Sequence, residues 1–322
     1  LHHAWLICGP RGIGKATLAY RVARHVLSRS ATPDLSGSGL FGDELPDRSP
    51  FENSLFLDPK HQVFRRIAAG GHSDFLAIER SVDEKTKKRR KEIVVSDVRA
   101  IATFLTMTPG ESDWRVVIID AADEMNRNAA NAVLKVLEEP PKRALILLVA
   151  HNPGRLLPTI RSRCRRLALG ALQDATISDL LKRYVSDLTS EDLPHLVALA
   201  DGSIGQALKY SSDGGLDIYQ AFTDLLVSLP DLDIPALHKL GDRLARDTTG
   251  EGFRTLNAIL SSWLADAAKT TAKTGAGAAR WAELWSEMNS LSRKAESVNL
   301  DRKQITLNAF LAIQATAQQG IT

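Results

Sequence analysis

Apolar positions in the first half of the chain follow two alternating patterns. Residues 4–8, 115–119 and 145–150 are short runs of strand length, apolar throughout except for Arg115. Runs apolar on both faces are the mark of strands buried inside a parallel sheet. Between them the spacing turns helical. Residues 15–27 predict one helix, and residues 127–139 another, with Ala130, Val133, Leu134 and Leu137 on one face and Pro140 and Pro141 as its stop. Buried strand alternating with amphipathic helix predicts an α/β domain with a parallel sheet and helices on its faces.

Residues 31–54 are rich in Gly, Pro, Ser and Asp and carry no period, which predicts an irregular excursion. From about residue 169 the pattern is wholly helical. Residues 174–184 place Ile177, Leu180, Leu181 and Tyr184 on one face, and Thr189 with Asp192 and Ser203 with Gln206 are spaced as capping boxes. Beyond residue 217 only amphipathic helices are expected, broken by a small-residue loop at 270–279. Trp281, Leu284, Trp285 and Met288 form one helix face expected in a core. Three parts follow: a sheet domain over 1–168, a small helical domain over 169–215 and an all-α domain over 216–322.

Composition narrows this picture only a little. The chain has 322 residues, 44% hydrophobic and 25% charged, with a formal net charge of +3. That is ordinary for a globular protein and neither demands nor excludes nucleic acid. Its two cysteines, Cys8 and Cys164, can make neither a disulfide framework nor a four-cysteine zinc site, so a reducing cytoplasm is the simplest expectation. No apolar run approaches the ~18 residues of a membrane span, so no membrane partner is expected, and no secretory signal is visible. The chain opens at Leu1 almost directly on a strand, which leads us to expect natural sequence upstream.

The chemistry sits where strands meet helices. Gly9-Pro10-Arg11-Gly12-Ile13-Gly14-Lys15 follows the first strand and opens the first helix, matching the phosphate-binding loop G-x-x-x-x-G-K in its proper context. Its glycines let backbone N–H groups turn inward toward phosphate oxygens, the helix N-terminus adds partial positive charge, and Lys15 would reach the outer phosphates. An ordinary glycine-rich turn is the competing reading, and the full spacing with both flanks favours the phosphate loop. The next residue should carry the hydroxyl that binds Mg²⁺. Here it is Ala16, and Thr17 lies about 100° further round the helix. A second strand, Val116-Val117-Ile118-Ile119, ends in Asp120, a carboxylate suited to help hold Mg²⁺. Ala121 follows, and Asp123 and Glu124 lie past the strand end.

The stretch Asn126-Arg127-Asn128-Ala129-Ala130-Asn131 through Leu137-Glu138-Glu139-Pro140-Pro141, together with Pro158-Thr159-Ile160-Arg161-Ser162-Arg163-Cys164, resembles bacterial clamp-loader subunits of the AAA+ class. Gly71-His72-Ser73-Asp74 and Ile93-Val94-Val95-Ser96-Asp97-Val98-Arg99 are similar to words of the same family, and the likeness covers residues 1 to about 210. The resemblance implies an AAA+ P-loop domain over 1–168, a helical lid over 169–215 and a helical collar for oligomerisation over 216–322. Motor members of the family carry Thr after the loop lysine, Asp-Glu on the second strand, threonines closing the next strand and an arginine in the lid sequence Gly-Ser-x-Arg. This chain has Ala16, Asp120-Ala121, Ala150-His151 and Gly205 at those places, yet keeps Ser162-Arg163-Cys164.

That combination implies a non-motor subunit of the DNA polymerase III clamp loader, helping to load the sliding clamp on primed DNA. Gly9, Pro10, Arg11, Gly12, Ile13, Gly14, Lys15, Ala16, Thr17 and Asp120 would bind ATP weakly with little or no hydrolysis. Arg163 would act in trans as an arginine finger. Implied partners are the motor and delta subunits, the sliding clamp and, through the complex, primed DNA. Family members often carry a four-cysteine zinc module in the region of 31–54; no cysteine stands there, so no zinc is expected. The competing readings are an ATP-hydrolysing motor subunit, opposed by the four departures, and a small-molecule P-loop kinase, which would need neither the Ser-Arg-Cys word nor the long helical tail. The basic run Lys85, Lys87, Lys88, Arg89, Arg90, Lys91 reads first as a solvated loop between two strands and second as a DNA contact.

Overall fold

The computed structural model describes residues 1–30, 54–83, 87–186, 188–212, 214–274, 277–298 and 301–319. They fall into two units, Leu1–Leu172 and Gln173–Thr322.

The first unit runs β1 (Ala4–Cys8), α1 (Lys15–Ser30), α2 (Gln62–Ala68), β2 (Phe75–Ile78), α3 (Val95–Thr106), β3 (Arg115–Asp120), α4 (Arg127–Glu138), β4 (Ala144–Ala150), α5 (Pro158–Arg163) and β5 (Arg165–Ala168). The five strands form one sheet in the order β2-β3-β4-β1-β5, every pairing parallel. All seven residues of β4 are buried, as expected of the central strand. Side chains alternate across the sheet. Leu6, Cys8, Val117, Ile119, Ile146 and Leu148 pack in one core with residues of α3, α4 and α5. Ile7, Val116, Ile118, Leu145, Leu147 and Val149 pack in another with residues of α1 and α2.

The strands expected from the apolar runs are present. β3 gains Asp120, β4 gains Ala144, and α1 continues past residue 27 to Ser30. α2, β2, α3, α5 and β5 have no counterpart among the elements expected from sequence. β2 is four residues long, and β5, Arg-Arg-Leu-Ala, is an edge strand that exposes its arginines. The expected excursion at 31–54 lies outside the described residues apart from Ser54.

The word Gly71-His72-Ser73-Asp74 has a structural purpose. Asp74 is fully buried, and its carboxylate accepts from the backbone N–H groups of Gly110 (2.8 Å), Glu111 (2.8 Å) and Ser112 (2.9 Å). Its own N–H donates to His72 Nδ1 at 3.1 Å. The Arg115 guanidinium lies 3.7 Å away and also donates to the carbonyls of Phe104 (2.6 Å) and Thr108. One buried ion pair therefore ties the start of β2, the end of α3 and the start of β3.

Among its described residues the second unit holds eight α-helices: α6 (Asp174–Tyr184), α7 (Asp192–Ala200), α8 (Ile204–Ser212), α9 (Gly215–Val227), α10 (Ile234–Arg246), α11 (Glu251–Thr274), α12 (Ala278–Val298) and α13 (Arg302–Gln319). Phe222, Leu256, Leu264, Phe310 and Ile313 centre its main core. Trp281, Leu284 and Met288 join that core, but Trp285 is 41% exposed, with Nε1 donating to Ser261 Oγ at 3.0 Å. The face spans more arc than α11 covers, so the fourth residue falls at its edge. The loop expected at 270–279 is corrected: α11 runs to Thr274 and α12 starts at Ala278. Alanine is the best helix former, and the Thr271 hydroxyl donates back to Ala267 O at 2.8 Å, so small residues prolong the helix here. Ser203 Oγ caps α8 by accepting from Gln206 N–H at 3.2 Å, while the Gln206 side chain serves Tyr210 instead of closing the box. The boundary expected at 215–216 coincides with the start of α9, inside this unit.

Burial alone would raise the Asp74 pKa, but the three N–H donors and Arg115 bring it below the ordinary carboxylate range. The folded state thus binds its proton more weakly than the unfolded one. The stabilisation is complete above the unfolded value near 4 and is lost as pH falls through the lower folded value. Asp74→Ala is expected to cost about 3 kcal/mol in urea unfolding at pH 7 by stranding Arg115. Asp74→Asn should flatten the acid limb of stability against pH below about 4. Unchanged unfolding curves for both variants would refute this role.

Candidate functional site

Parallel register brings three strand ends to one edge of the sheet. Cys8 pairs with Ala150, and Asp120 with Val149. The turn after β1, Asp120 and His151 therefore stand side by side. Gly9 has φ 151°, and a Cβ there would lie 2.2 Å from the Leu169 carbonyl oxygen, so the turn packs directly on the chain leaving β5. Leu169 N–H in turn donates to Cys8 O at 2.8 Å. Gly12 and Gly14 have φ 78° and 93°, a region that favours glycine. A Cβ on Gly14 would meet nothing within 4 Å, so the loop has an open hollow on that side.

Lys15 is 3% exposed and turns its ammonium into the loop, donating to Gly9 O at 2.8 Å and Pro10 O at 2.5 Å. Burial lowers its pKa, against the pull of Asp120 and Asp123. Asp120 is pushed up, first by burial and then by Glu79 and Glu124, with Lys15 and Arg11 opposing. Ala16 offers no oxygen beside these groups, and Thr17 is exposed. The donors fit a phosphate group. They supply one strand carboxylate, and no hydroxyl next to Lys15, for a metal. Among the described residues no group of His, Cys, Asp or Glu is arranged to hold a metal ion.

Asp123 and Glu124, set aside in sequence because they lie past the strand, are both engaged. Asp123 is buried and accepts from the backbone N–H of His151 (3.0 Å) and Asn152 (2.8 Å), pinning the end of β4. Glu124 pairs with Arg80 at 2.8 Å and Arg11 at 3.5 Å. Both links span residues distant in the chain, and no local spacing announces them. The His151 pKa is lowered, first by burial and then by Lys15.

Arg163 ends α5 and lies two residues before β5, whose first residue pairs with Trp5 near the start of β1. It therefore sits at the opposite edge of the sheet from its own phosphate loop. Its guanidinium donates to Thr159 O at 3.0 Å and pairs with Glu138 of α4 at 2.6 Å, with 34% of the side chain exposed. Cys164 beside it is buried, and burial pushes its thiol up to about 11, so it stays protonated at neutral pH. The other arginines of this stretch separate: Arg165 lies over the Trp5 ring, and Arg166 Nε donates to Cys8 Sγ at 3.2 Å.

Of the basic run, Lys85 lies outside the described residues. Val82 and Arg89 form one antiparallel bridge, so the run turns back on itself rather than linking two full strands. Arg89 pairs with Glu79, and Arg90 with Asp83 at 3.7 Å.

Comparison with known proteins finds partial matches. Residues 52–173 match the family described as DNA polymerase III, delta subunit. The chain is similar to the DNA polymerase III subunit delta' of Pseudomonas aeruginosa, 34% identical over 201 residues, covering 62% of this chain and 53% of that one. It is similar to the DNA polymerase III subunit gamma of Buchnera aphidicola, 29% identical over 212 residues, covering 65% and 50%. The chain thus spans about half the length of the curated relatives it matches. A solved gamma subunit-related protein from Thermotoga maritima aligns with a TM-score of 0.40 at 23% identity, over 79% of this chain and 88% of that one. No described helix is long and apolar enough to cross a membrane.

Asp123→Ala strands two backbone donors and is expected to destabilise the chain by about 1–3 kcal/mol in urea unfolding. By NMR titration His151 should protonate below the ordinary histidine range near 6.5. Lys15→Ala should move that midpoint upward by removing a neighbouring cation. A midpoint unmoved by Lys15→Ala would contradict the electrostatic coupling.

Proposed function

We propose that this chain, which is similar to delta' subunits of DNA polymerase III, serves the clamp loader as a non-motor subunit, taking part in loading the sliding clamp on primed DNA. The observation that carries the reading is the separation of Arg163 from the chain's own phosphate loop. An arginine at the far edge of the sheet cannot reach the nucleotide of its own chain, but it can face that of a neighbour. Its guanidinium keeps its charge at neutral pH and can bridge phosphate oxygens with two parallel N–H donors. To do so it exchanges Glu138 for the γ-phosphate.

The phosphate loop supports binding without turnover. Its backbone donors and Lys15 suit phosphate oxygens, and ATP would be held weakly, because Lys15 must first leave the Gly9 and Pro10 carbonyls. ATP supplies the γ-phosphoryl group, while this chain has alanine at positions 16 and 121, where a hydroxyl and a carboxylate would position metal and water. Positioning is most of the catalysis in phosphoryl transfer. In this reading 169–215 is the lid, 216–322 the collar that joins motor and delta subunits in a ring, and the whole works in the cytoplasm without zinc. Similarity to a gamma subunit keeps the motor reading as the second one; the residues at 16, 121, 150 and 205 oppose it.

The isolated protein is expected to show negligible ATPase. Turnover comparable to a motor subunit's, abolished by Lys15→Ala, would favour the motor reading instead. In reconstituted loader, Arg163→Ala should assemble normally by gel filtration but lower DNA- and clamp-stimulated ATPase. An arginine finger is worth ~10³–10⁵ in rate where one acts alone, and one site among several in a ring will show less. Arg163→Lys should rescue poorly, since an ammonium lacks the planar fork. Unchanged ATPase and loading with the alanine variant would leave this chain a purely structural member of the ring.

A further inference from the structure

The sheet's second face carries a feature that neither the phosphate loop nor Arg163 explains. α1 and α2 contain no acidic residue along their whole lengths. The buried side of α1 is Ala19, Ala23, Val26 and Leu27. At 100° per residue, Arg21, Arg24, His25 and Arg29 fall together on the opposite side. Arg24 reaches across to α2, its guanidinium carbon 4.3 Å from the centre of the Phe64 ring. Arg65 is the next residue of α2 and is exposed, as are Lys60 and His61 at the entry to that helix.

Among the described residues this cluster is not neutralised. Arg66 pairs with Glu111, but Arg21, Arg24, Arg29 and Arg65 form no ion pair among the described residues. The like charges act on one another. The Arg24 pKa is lowered, first by burial and then by Arg21, and that of His25 first by burial and then by Arg29. Like charges three and four residues apart weaken a helix. Only Arg24, stacked on Phe64, recovers part of that cost by packing; Arg21 and Arg29 are exposed. The unit as a whole is basic, with 27 Lys and Arg against 19 Asp and Glu over residues 1–172, whereas residues 173–322 have 14 against 19.

We propose that the α1–α2 face is a nucleic-acid contact surface that binds the phosphate backbone of duplex DNA without regard to sequence. The ladder from Arg21 to Arg29 spans about 12 Å along the helix. That matches three to four nucleotides of one strand at about 3.4 Å each. Arginine forks suit phosphate oxygens, and neither helix carries a carboxylate to compete with them. The surface lies on the opposite side of the sheet from α5, so it is distinct from the Arg163 region and stands whether or not the clamp-loader reading does.

The test measures binding of the full chain to a labelled duplex of about 30 base pairs by fluorescence anisotropy between about 50 and 200 mM salt. The variant is Arg21→Ser, Arg29→Ser and Arg65→Ser combined, all exposed positions, checked for an unchanged melting temperature. A charge-matched control combines Lys182→Ser, Lys239→Ser and Arg280→Ser in the second unit. The first variant is expected to weaken binding roughly tenfold or more at the low-salt end and to make the log–log salt slope shallower by about 2–3. The control should bind as wild type. Wild-type affinity in the first variant, equal losses in both variants, or no binding by the wild-type chain would overturn the proposal. So would competition by polyglutamate as effective as by unlabelled duplex, which would reassign the face to an acidic protein.

Discussion

Seven consecutive buried apolar residues, Ala144–Ala150, set the register of the sheet around them. β4 lies between the strand that leads into the phosphate loop and the strand that ends in Asp120. A slip of one residue on either side would turn every side chain of the slipped strand from one core into the other. With both faces filled by separate cores, that slip is heavily disfavoured. The register therefore decides which strand ends stand together. It puts Gly9, Asp120 and His151 at one edge and leaves Arg163, held by the same register through β5 and β1, at the other.

Charge within the site is then largely settled internally. Lys15, Asp120, Asp123, Glu124, Arg11 and Arg80 form a chain of cation and carboxylate in which each influences the next. Burial works against the charged form of both Lys15 and Asp120, and their mutual attraction opposes that effect. A phosphate entering the hollow above Gly14 would add anionic charge beside Lys15 and also beside Asp120 and Asp123. In a complete hydrolytic site a metal ion answers that excess of negative charge. Here one ligand hydroxyl is missing, which is a physical reason for bound nucleotide to be held less tightly than the loop alone would promise.

The sequence made legible whatever depended on local period. β1, β3, β4, α4 and α6 were readable because their burial follows a run or a helical stripe. β5 was not, because an edge strand with two exposed arginines has no apolar run to read. β2 is only four residues long and is defined by its neighbour rather than by its own pattern. Through 270–274 small residues read as a loop signal in sequence, whereas alanine and a back-bonded threonine extend the helix. Among site residues, the phosphate loop and Asp120 were legible from spacing, and the Arg163 word from family resemblance. Asp123 was dismissed, since its partners His151 and Asn152 lie 28 and 29 residues away and the bond is to backbone, which leaves no side-chain signature. The Glu138 partner of Arg163 is equally a matter of tertiary placement.

A phosphate loop without its catalytic companions raises the question of what the motif does for the fold itself. Gly9 answers to Leu169: any side chain at that point would collide with a backbone carbonyl, with or without nucleotide. Lys15 answers to Gly9 and Pro10, whose carbonyls would otherwise lose a charge-assisted partner inside the turn. Those residues are required by packing and hydrogen bonding alone. Gly14 differs, since space is open above it and only its φ of 93° disfavours a side chain. Ala16 and Ala121 belong to the other class, because nothing in the fold around them needs a hydroxyl or a carboxylate. The parts of the motif that build the turn are therefore required by the fold alone, whether or not nucleotide enters the loop.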